Sequence, residues 1–181
     1  DFLSVQIQKT SRSTKIKDIL ISDSFSVSMH LEKIKTNYSK CNYFGKVYPI
    51  LEEILHTSLE DSNKSLSKFN ILLVKRFAEW GGMTIDIDYA SRIDNSINYK
   101  TSTERLLEIS KYYNAKTYLS SIGAKEYMQD ELIKFKSESI DVVWQNFEYQ
   151  NYSQFEEGNN FISHMSCIDY LFNQGTNDII K

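Results

Sequence analysis

The chain has 181 residues, of which 41% are hydrophobic and 25% charged, and its formal net charge is −3. This length suits one domain, and the hydrophobic content excludes a wholly disordered chain. The near-balanced charge argues against a nucleic-acid groove, and no apolar run approaches the roughly 20 residues that span a bilayer.

Cysteine and histidine residues are too few and too widely spaced to predict a metal site. Cys41 and Cys167 form no CxxC pair, and the three histidines complete no zinc signature with them. Two free thiols are typical of a reducing compartment, so we expect a cytoplasmic protein.

The first 82 residues predict a strand pair followed by a helical block. Phe2–Gln8 alternates apolar and polar side chains, and Ile16–Ile21 predicts the second strand of a hairpin. Apolar side chains then recur at helical spacing in three segments, Val27–Tyr38, Phe44–His56 and Ser65–Trp80. Gly81 and Gly82 are expected to end the third helix.

Residues 84–149 predict the parallel part of the fold. Thr84–Tyr89 alternates like a strand, and Thr101–Tyr113 has helical spacing. A strand, a helix and a strand follow at Ala115–Ser121, Ala124–Glu138 and Asp141–Tyr149. Short connections make this a βαβ unit, whose two strands are parallel. A last helix is predicted at 161–172.

These elements predict an α/β fold. We expect a single domain over residues 1–181, with a mostly parallel Rossmann-like sheet flanked by helices. The helical block, about residues 24–82, is inserted into it.

Ligands of open α/β sheets collect beyond the carboxyl ends of the strands. That rule places Ser121, Gly123 and Lys125 at the expected functional edge, with Tyr127 on the following helix. Backbone N–H groups at a helix start bind anions, and Lys125 would add charge. A helix cap with an exposed lysine explains the same residues equally well.

The first turn of the helix at Thr101–Tyr113 carries Thr103, Glu104 and Arg105. Glu104 favours the helix dipole, which is a sufficient structural reason for it. In the functional interpretation, Arg105 or Thr103 faces the loop that follows the strand at 84–89.

His30 and Asp169 are the candidates for proton transfer. A lone histidine on an apolar helix face is more often a core residue than a general base. Asp169 lies beside the apolar stripe of its helix, so its carboxylate must find donors or point outward. Gln154 and Asn173 come from polar turns and are expected to line the same edge.

No P-loop, GxGxxG, GxSxG or HExxH motif is present. Asp86 and Asp88 are the closest pair of carboxylates that could hold a divalent ion. Alternation puts both on one face of the predicted strand, which a solvated strand face also explains.

Several segments together resemble the WbqC-like family of bacterial proteins. They are the stretch from His30 to Phe44, Thr103 to Leu106, Tyr118 to Tyr127, Trp144, and Ser166-Cys167-Ile168-Asp169-Tyr170-Leu171-Phe172-Asn173-Gln174-Gly175. The chain departs from the family at Ser121-Ile122, where Gly-Pro is usual. It is also expected to lack an N-terminal strand segment that family members carry.

The resemblance implies a role in O-antigen or capsule polysaccharide biosynthesis. It suggests an acyl- or aminoacyl-type transferase, or a ligase, that modifies a nucleotide-activated amino sugar. Gly123 and Lys125 would hold phosphates, Arg105 would neutralise charge, and His30 or Asp169 would transfer a proton. A nucleotide with Mg²⁺ is the candidate cofactor, and a homodimer is the candidate assembly. A non-catalytic scaffold protein and a glycosyltransferase-like enzyme are the alternatives.

Overall fold

The computed structural model describes residues 2–93, 97, 99–148, 150–154 and 161–175. The chain forms two compact units, one of residues 1–87 with 149–181 and the other of residues 88–148. The predicted helical block lies in the first unit. That the chain is a single domain stays a prediction.

Three long helices and one short C-terminal helix build the first unit. They are α1 (Val27–Tyr38), α2 (Phe44–Asp61), α3 (Leu66–Trp80) and α8 (Cys167–Gln174). The predicted helical spacing is confirmed for the three long helices, and α2 continues five residues further than expected. Ser65 caps α3, and Gly82 has a φ of 77°, as expected where a helix ends.

The core of the first unit joins these four helices. Leu31, Leu51 and Phe69 are buried on the inward stripes of α1, α2 and α3, and α8 adds Leu171 and Phe172. The aromatic ring of Phe172 stacks on that of Tyr38 and on that of Phe44, with centroid distances of 4.7 and 5.7 Å. This stacking anchors the C-terminal helix to the helical block.

The predicted N-terminal hairpin is wrong in extent. Ile7 and Ile21 form one isolated antiparallel bridge, and Ile16–Asp18 is a 3₁₀ turn rather than a strand. Two hairpin hydrogen bonds flank this bridge, from the backbone N–H of Gln8 to the carbonyl of Leu20 and from that of Ser22 to the carbonyl of Gln6, both at 2.9 Å. The 3₁₀ turn at Ile16–Asp18 takes the chain out of the pairing, and the backbone N–H of Ile21, which points away from Ile7, donates to the carbonyl of Lys64 at 2.7 Å.

The second unit contains the predicted βαβ arrangement. It comprises α4 (Ala90–Ile93), α5 (Ser102–Tyr112), β1 (Thr117–Ser121), α6 (Lys125–Met128), α7 (Leu132–Ser137) and β2 (Asp141–Gln145). Strands β1 and β2 are parallel, in register from Thr117 opposite Asp141 to Ser121 opposite Gln145. The α/β class and the parallel pairing are confirmed.

The wider Rossmann-like sheet is not present in the described residues, where the sheet has two strands. Thr84–Tyr89 alternates in exposure but pairs with no described strand. The boundary between the two units falls inside this segment, at Ile87 and Asp88. The segment therefore links the units, and its alternation does not indicate a sheet position.

The long helix predicted at 124–138 is broken. A 3₁₀ turn at Ile122–Ala124 precedes α6, and a second one at Gln129–Glu131 separates α6 from α7. The carboxylate of Glu131 accepts hydrogen bonds from Thr101 at 3.0 Å and from Lys134 at 2.7 Å. These contacts hold the second turn, and sequence periodicity does not reveal them.

The two faces of the small sheet differ. Tyr118, Val142 and Trp144 pack against a core built on Leu107, Met128, Phe135, Ala124 and Ile140. The opposite face presents Leu119, which is 63% exposed, beside its register partner Val143. In the described part of the chain, no helix is long and apolar enough to cross a membrane.

Candidate functional site

The strongest polar site of the first unit surrounds the carboxylate of Asp169. Its Oδ2 accepts a hydrogen bond from the hydroxyl of Tyr152 at 2.5 Å and another from the side-chain amide of Gln154 at 3.1 Å. Burial and the nearby charge of this carboxylate raise the pKa of the Tyr38 phenol. We call Asp169, Tyr152, Gln154 and Tyr38 the Asp169 cluster.

Helix α8 positions the carboxylate. Asp169 lies in the first turn of α8 and is only 5% exposed. A negative charge there is stabilised by the helix dipole. Asn173 is also buried, and its side-chain N–H donates to the backbone carbonyl of Asp169 at 2.8 Å. Asn173 therefore supports the helix that carries the cluster.

Gln154 explains why the last helix starts later than predicted. Its side-chain oxygen accepts from the backbone N–H of Ile162 at 2.9 Å, and its N–H donates to the carbonyl of Ile162 at 3.0 Å. This pairing uses both backbone groups of Ile162 outside a helix. The predicted helix at 161–172 is therefore wrong at its start, because α8 begins at Cys167.

Ionisation of the groups around Asp169 is suppressed. Burial, followed by the hydrogen bond to Asp169, raises the pKa of Tyr152 to about 12. Burial and the Asp169 charge also raise the pKa of Tyr38 and that of the Cys41 thiol. Both phenols and the thiol therefore stay protonated at neutral pH, and Cys41 has no thiolate character.

The structure brings three predicted site residues together and keeps a fourth apart. Asp169, Gln154 and Asn173 meet around α8, as described above. The Nε2 of His30 lies 3.1 Å from the carbonyl of Ser4, and its imidazole ring packs edge-on against Phe25. In the described contacts, His30 does not join the Asp169 cluster, and its bonding is that of a structural histidine.

Sequence reasoning missed Tyr38 and Tyr152 as members of the cluster. Helical spacing puts Tyr38 on the apolar stripe of α1, where its ring stacks on Phe172. Tyr152 lies two residues before Gln154 in a segment without periodicity. The signal in the sequence is a tyrosine and a glutamine in a polar segment that precedes the helix of Asp169. These two residue types could have indicated hydrogen-bond partners for that carboxylate.

The other predicted site residues lie in the second unit. Thr103 is buried, with 2% exposure, and Arg105 lies over the ring of Tyr99 at 5.6 Å. Glu104 completes a capping box with Thr101, and its carboxylate accepts from Lys134 at 2.8 Å. These contacts give Glu104 a structural role.

Glu104 should contribute to acid sensitivity. Its hydrogen bond from Lys134, then that from the Lys100 backbone, lowers its pKa from 4.5 to about 2. A carboxyl whose folded pKa is lowered adds stability above pH 4.5, which is lost as the pH falls towards 2. Urea unfolding between pH 6 and 2.5, followed by the fluorescence of Trp144 in a Trp80→Phe background, should show this loss.

The control for that prediction is a second glutamate of the same unit. Glu104→Gln should flatten the decline in unfolding free energy below pH 4.5, whereas Glu126→Gln, at an exposed position, should keep it. Equal declines in the parent protein and in Glu104→Gln would contradict the role assigned to Glu104.

The predicted anion site follows β1. Ser121 is the last residue of β1, Gly123 lies in the 3₁₀ turn, and Lys125 begins α6. Ser121, Lys125 and Tyr127 are exposed. Because α6 has only four residues, its dipole is weaker than that of the long helix expected there. Phosphate binding at this edge stays a prediction.

Asp88, one of the two carboxylates considered for a divalent ion, already has partners among the described residues. Asp88 accepts hydrogen bonds from the hydroxyl of Tyr113 and from Arg92, the latter at 3.0 Å. Asp86 belongs to the first unit and Asp88 to the second. Among the described ranges, no group of three or more His, Cys, Asp or Glu residues could hold a metal ion.

Comparison with known proteins gives one family and no individual relative. A model described as the WbqC-like protein family matches residues 1–181, the whole of the chain. No curated protein and no solved structure matches it.

Proposed function

The chain belongs to the WbqC-like protein family, and from this premise we propose that it is an enzyme of bacterial O-antigen or capsule polysaccharide biosynthesis. Its reaction is acyl or aminoacyl transfer, or ligation, onto a nucleotide-activated amino sugar. The observation that carries the proposal is the buried Asp169 carboxylate held by Tyr152 and Gln154. Perturbed ionisable groups gathered at one place are typical of functional sites.

The Asp169 cluster suits removal of a proton from an amine. The amine nitrogen attacks the carbonyl carbon of an activated acyl donor, the bond to the leaving group breaks, and the nitrogen gives up a proton. The Tyr152 oxygen accepts that proton as its own passes to Asp169, 2.5 Å away. The nitrogen becomes acidic only after attack, so a carboxylate is a sufficient final acceptor.

The proposal includes a cytoplasmic location and a nucleotide-bearing substrate. Free thiols at Cys41 and Cys167 support the location. A nucleotide with Mg²⁺ is the proposed cofactor for the ligase form of the reaction. Phosphate binding is assigned to Ser121, Gly123 and Lys125, and a homodimer is the assembly to be tested.

A ligand screen tests the proposal. Thermal unfolding would be measured with ATP, CTP, UDP-sugars and dTDP-amino sugars, each with and without Mg²⁺. A ligand at ~100 times its Kd adds roughly 2.7 kcal/mol of stability, a shift of a few degrees for a domain of this size. We expect one nucleotide class to give such a shift. Its absence with every nucleotide would overturn the proposal.

Two sets of variants separate binding from chemistry. Lys125→Ala should remove the nucleotide shift, while Lys136→Ala, at an exposed position of α7, should leave it intact. Tyr152→Phe should keep the thermal shift but lose amide formation, which mass spectrometry of the sugar product would measure. Full product formation by Tyr152→Phe would exclude the proton relay.

An exposed apolar sheet face favours a second candidate, a non-catalytic scaffold of polysaccharide assembly. Parallel sheets are usually covered on both faces, yet Leu119 and Val143 are 63% and 46% exposed. Ile122, which directly follows β1, and Phe147, two residues after β2, are also exposed. A failed nucleotide screen combined with protein binding that Leu119→Asp abolishes would favour this candidate.

A further inference from the structure

A cleft in the second unit is not used by the function proposed above. Its volume is about 340 Å³, within the range of small-ligand pockets. Helices α5 and α7 and the segment before α5 provide its walls. The lining residues are Tyr99, Lys100, Glu104, Leu107, Glu108, Lys134, Ser137 and Glu138.

Some charges of the cleft already have structural partners. Glu104 accepts from Lys134 and from the backbone N–H of Lys100, at 2.8 and 2.7 Å. Lys134 also pairs with Glu131 at 2.7 Å. These groups hold α5 and α7 together. The other two carboxylates of the lining belong to Glu108 and Glu138, whose partner is Lys111, a residue outside the lining.

An ammonium group already lies between those two carboxylates. Lys111 Nζ is 2.9 Å from Glu108 and 3.3 Å from Glu138. The spacing of the carboxylates therefore suits one primary ammonium group bound from both sides. The three side chains are 28% to 45% exposed, so an ammonium group from solution can reach both carboxylates and compete with Lys111.

Tyr99 adds an apolar surface to the charged cleft. Its side chain is 40% exposed, and the Arg105 guanidinium lies 5.6 Å from the centre of its ring. An aromatic ring in a pocket packs against the C–H groups of a small ligand. The cleft thus combines an aromatic surface, which can contact the carbon skeleton of a ligand, with carboxylates that attract a positive charge.

We propose that this cleft binds a small molecule with a primary ammonium group, which displaces Lys111 from between Glu108 and Glu138 while Tyr99 contacts its carbon skeleton. An amino sugar and a free amino acid share this chemistry. The inference does not depend on the proposed function, because binding can occur without turnover.

Titration calorimetry on the full chain tests the inference. Glucosamine and glycine are the amine probes, and N-acetylglucosamine and N-acetylglycine are their controls without a positive charge. At least one amine should bind at least tenfold more tightly than its acetylated control. Binding of glucosamine would identify the ligand class as amino sugars, and binding of glycine would identify it as amino acids. Equal binding of both members of each pair would overturn the inference.

Three variants assign the binding to the cleft. Glu108→Gln and Glu138→Gln should each weaken the amine at least tenfold, whereas Glu126→Gln, exposed on α6, should have no effect. Lys111→Met removes the competing ammonium and should strengthen binding at least threefold. Failure of both amines to bind Lys111→Met, or unchanged binding by Glu108→Gln, would overturn the inference.

Discussion

Replacing Asp169 with alanine should lower the free energy of unfolding by about 2 kcal/mol, because two partly buried donors lose their acceptor. Tyr152 and Gln154 both donate to Asp169 Oδ2. Leaving a buried donor unsatisfied costs roughly 1 to 3 kcal/mol. Urea unfolding followed by circular dichroism would measure the change. Glu53→Ala, an exposed position on α2, should change the free energy by less than about 0.5 kcal/mol.

The same substitution should change the ionisation of Tyr152. Its pKa of about 12 depends on burial and on Asp169, so loss of the carboxylate should lower it towards the ordinary value of 10. Absorbance at 295 nm during alkaline titration would report this, with Tyr152→Phe identifying the contribution of Tyr152. If Asp169→Ala leaves both the pKa of Tyr152 and the free energy of unfolding unchanged, the contacts assigned to the Asp169 cluster would be contradicted.

Replacing Gly175 with alanine should destabilise the protein by about 3 kcal/mol. Gly175 follows α8 with a φ of 78° and a ψ of −163°, a backbone region occupied essentially by glycine alone, which costs an L-residue roughly 1 to 3 kcal/mol. A Cβ atom there would lie 2.7 Å from Cε1 and 2.8 Å from Cδ1 of Tyr43. The Tyr43 ring cannot easily move away, because it packs against the core of the first unit.

Gly45 provides the matched control. It lies in the first turn of α2 in the same unit, and a Cβ atom there would meet nothing within 4 Å. Gly45→Ala should therefore be neutral or stabilising by up to about 1 kcal/mol, because alanine is the better helix former. Similar thermal stabilities of Gly175→Ala and Gly45→Ala would disprove the close approach of Tyr43.

The candidate site could be predicted in part. The position of Asp169 beside an apolar stripe required that it find donors or point outward, and it finds donors. The identity of the donors could not be predicted, because Tyr38 lies on another helix and Tyr152 in a segment without periodicity. His30 shows the reverse case, since its helical position was evident but its partner, the carbonyl of Ser4, was not.

The sequence by itself determined the elements that depend on local spacing. The apolar stripes of α1 and α3, the Gly81–Gly82 stop and the parallel βαβ pair need only neighbouring residues, and the family likeness needs only residue order.

Tertiary structure decided which potential strands pair and where helices break. A strand requires a partner for its backbone groups, and the segments at 16–21 and 84–89 do not form a ladder in the described residues. The break before α7 and the late start of α8 coincide with side-chain bonds from Glu131 and Gln154 to groups distant in sequence. Such bonds depend on the folded arrangement and leave no periodic signal in the chain.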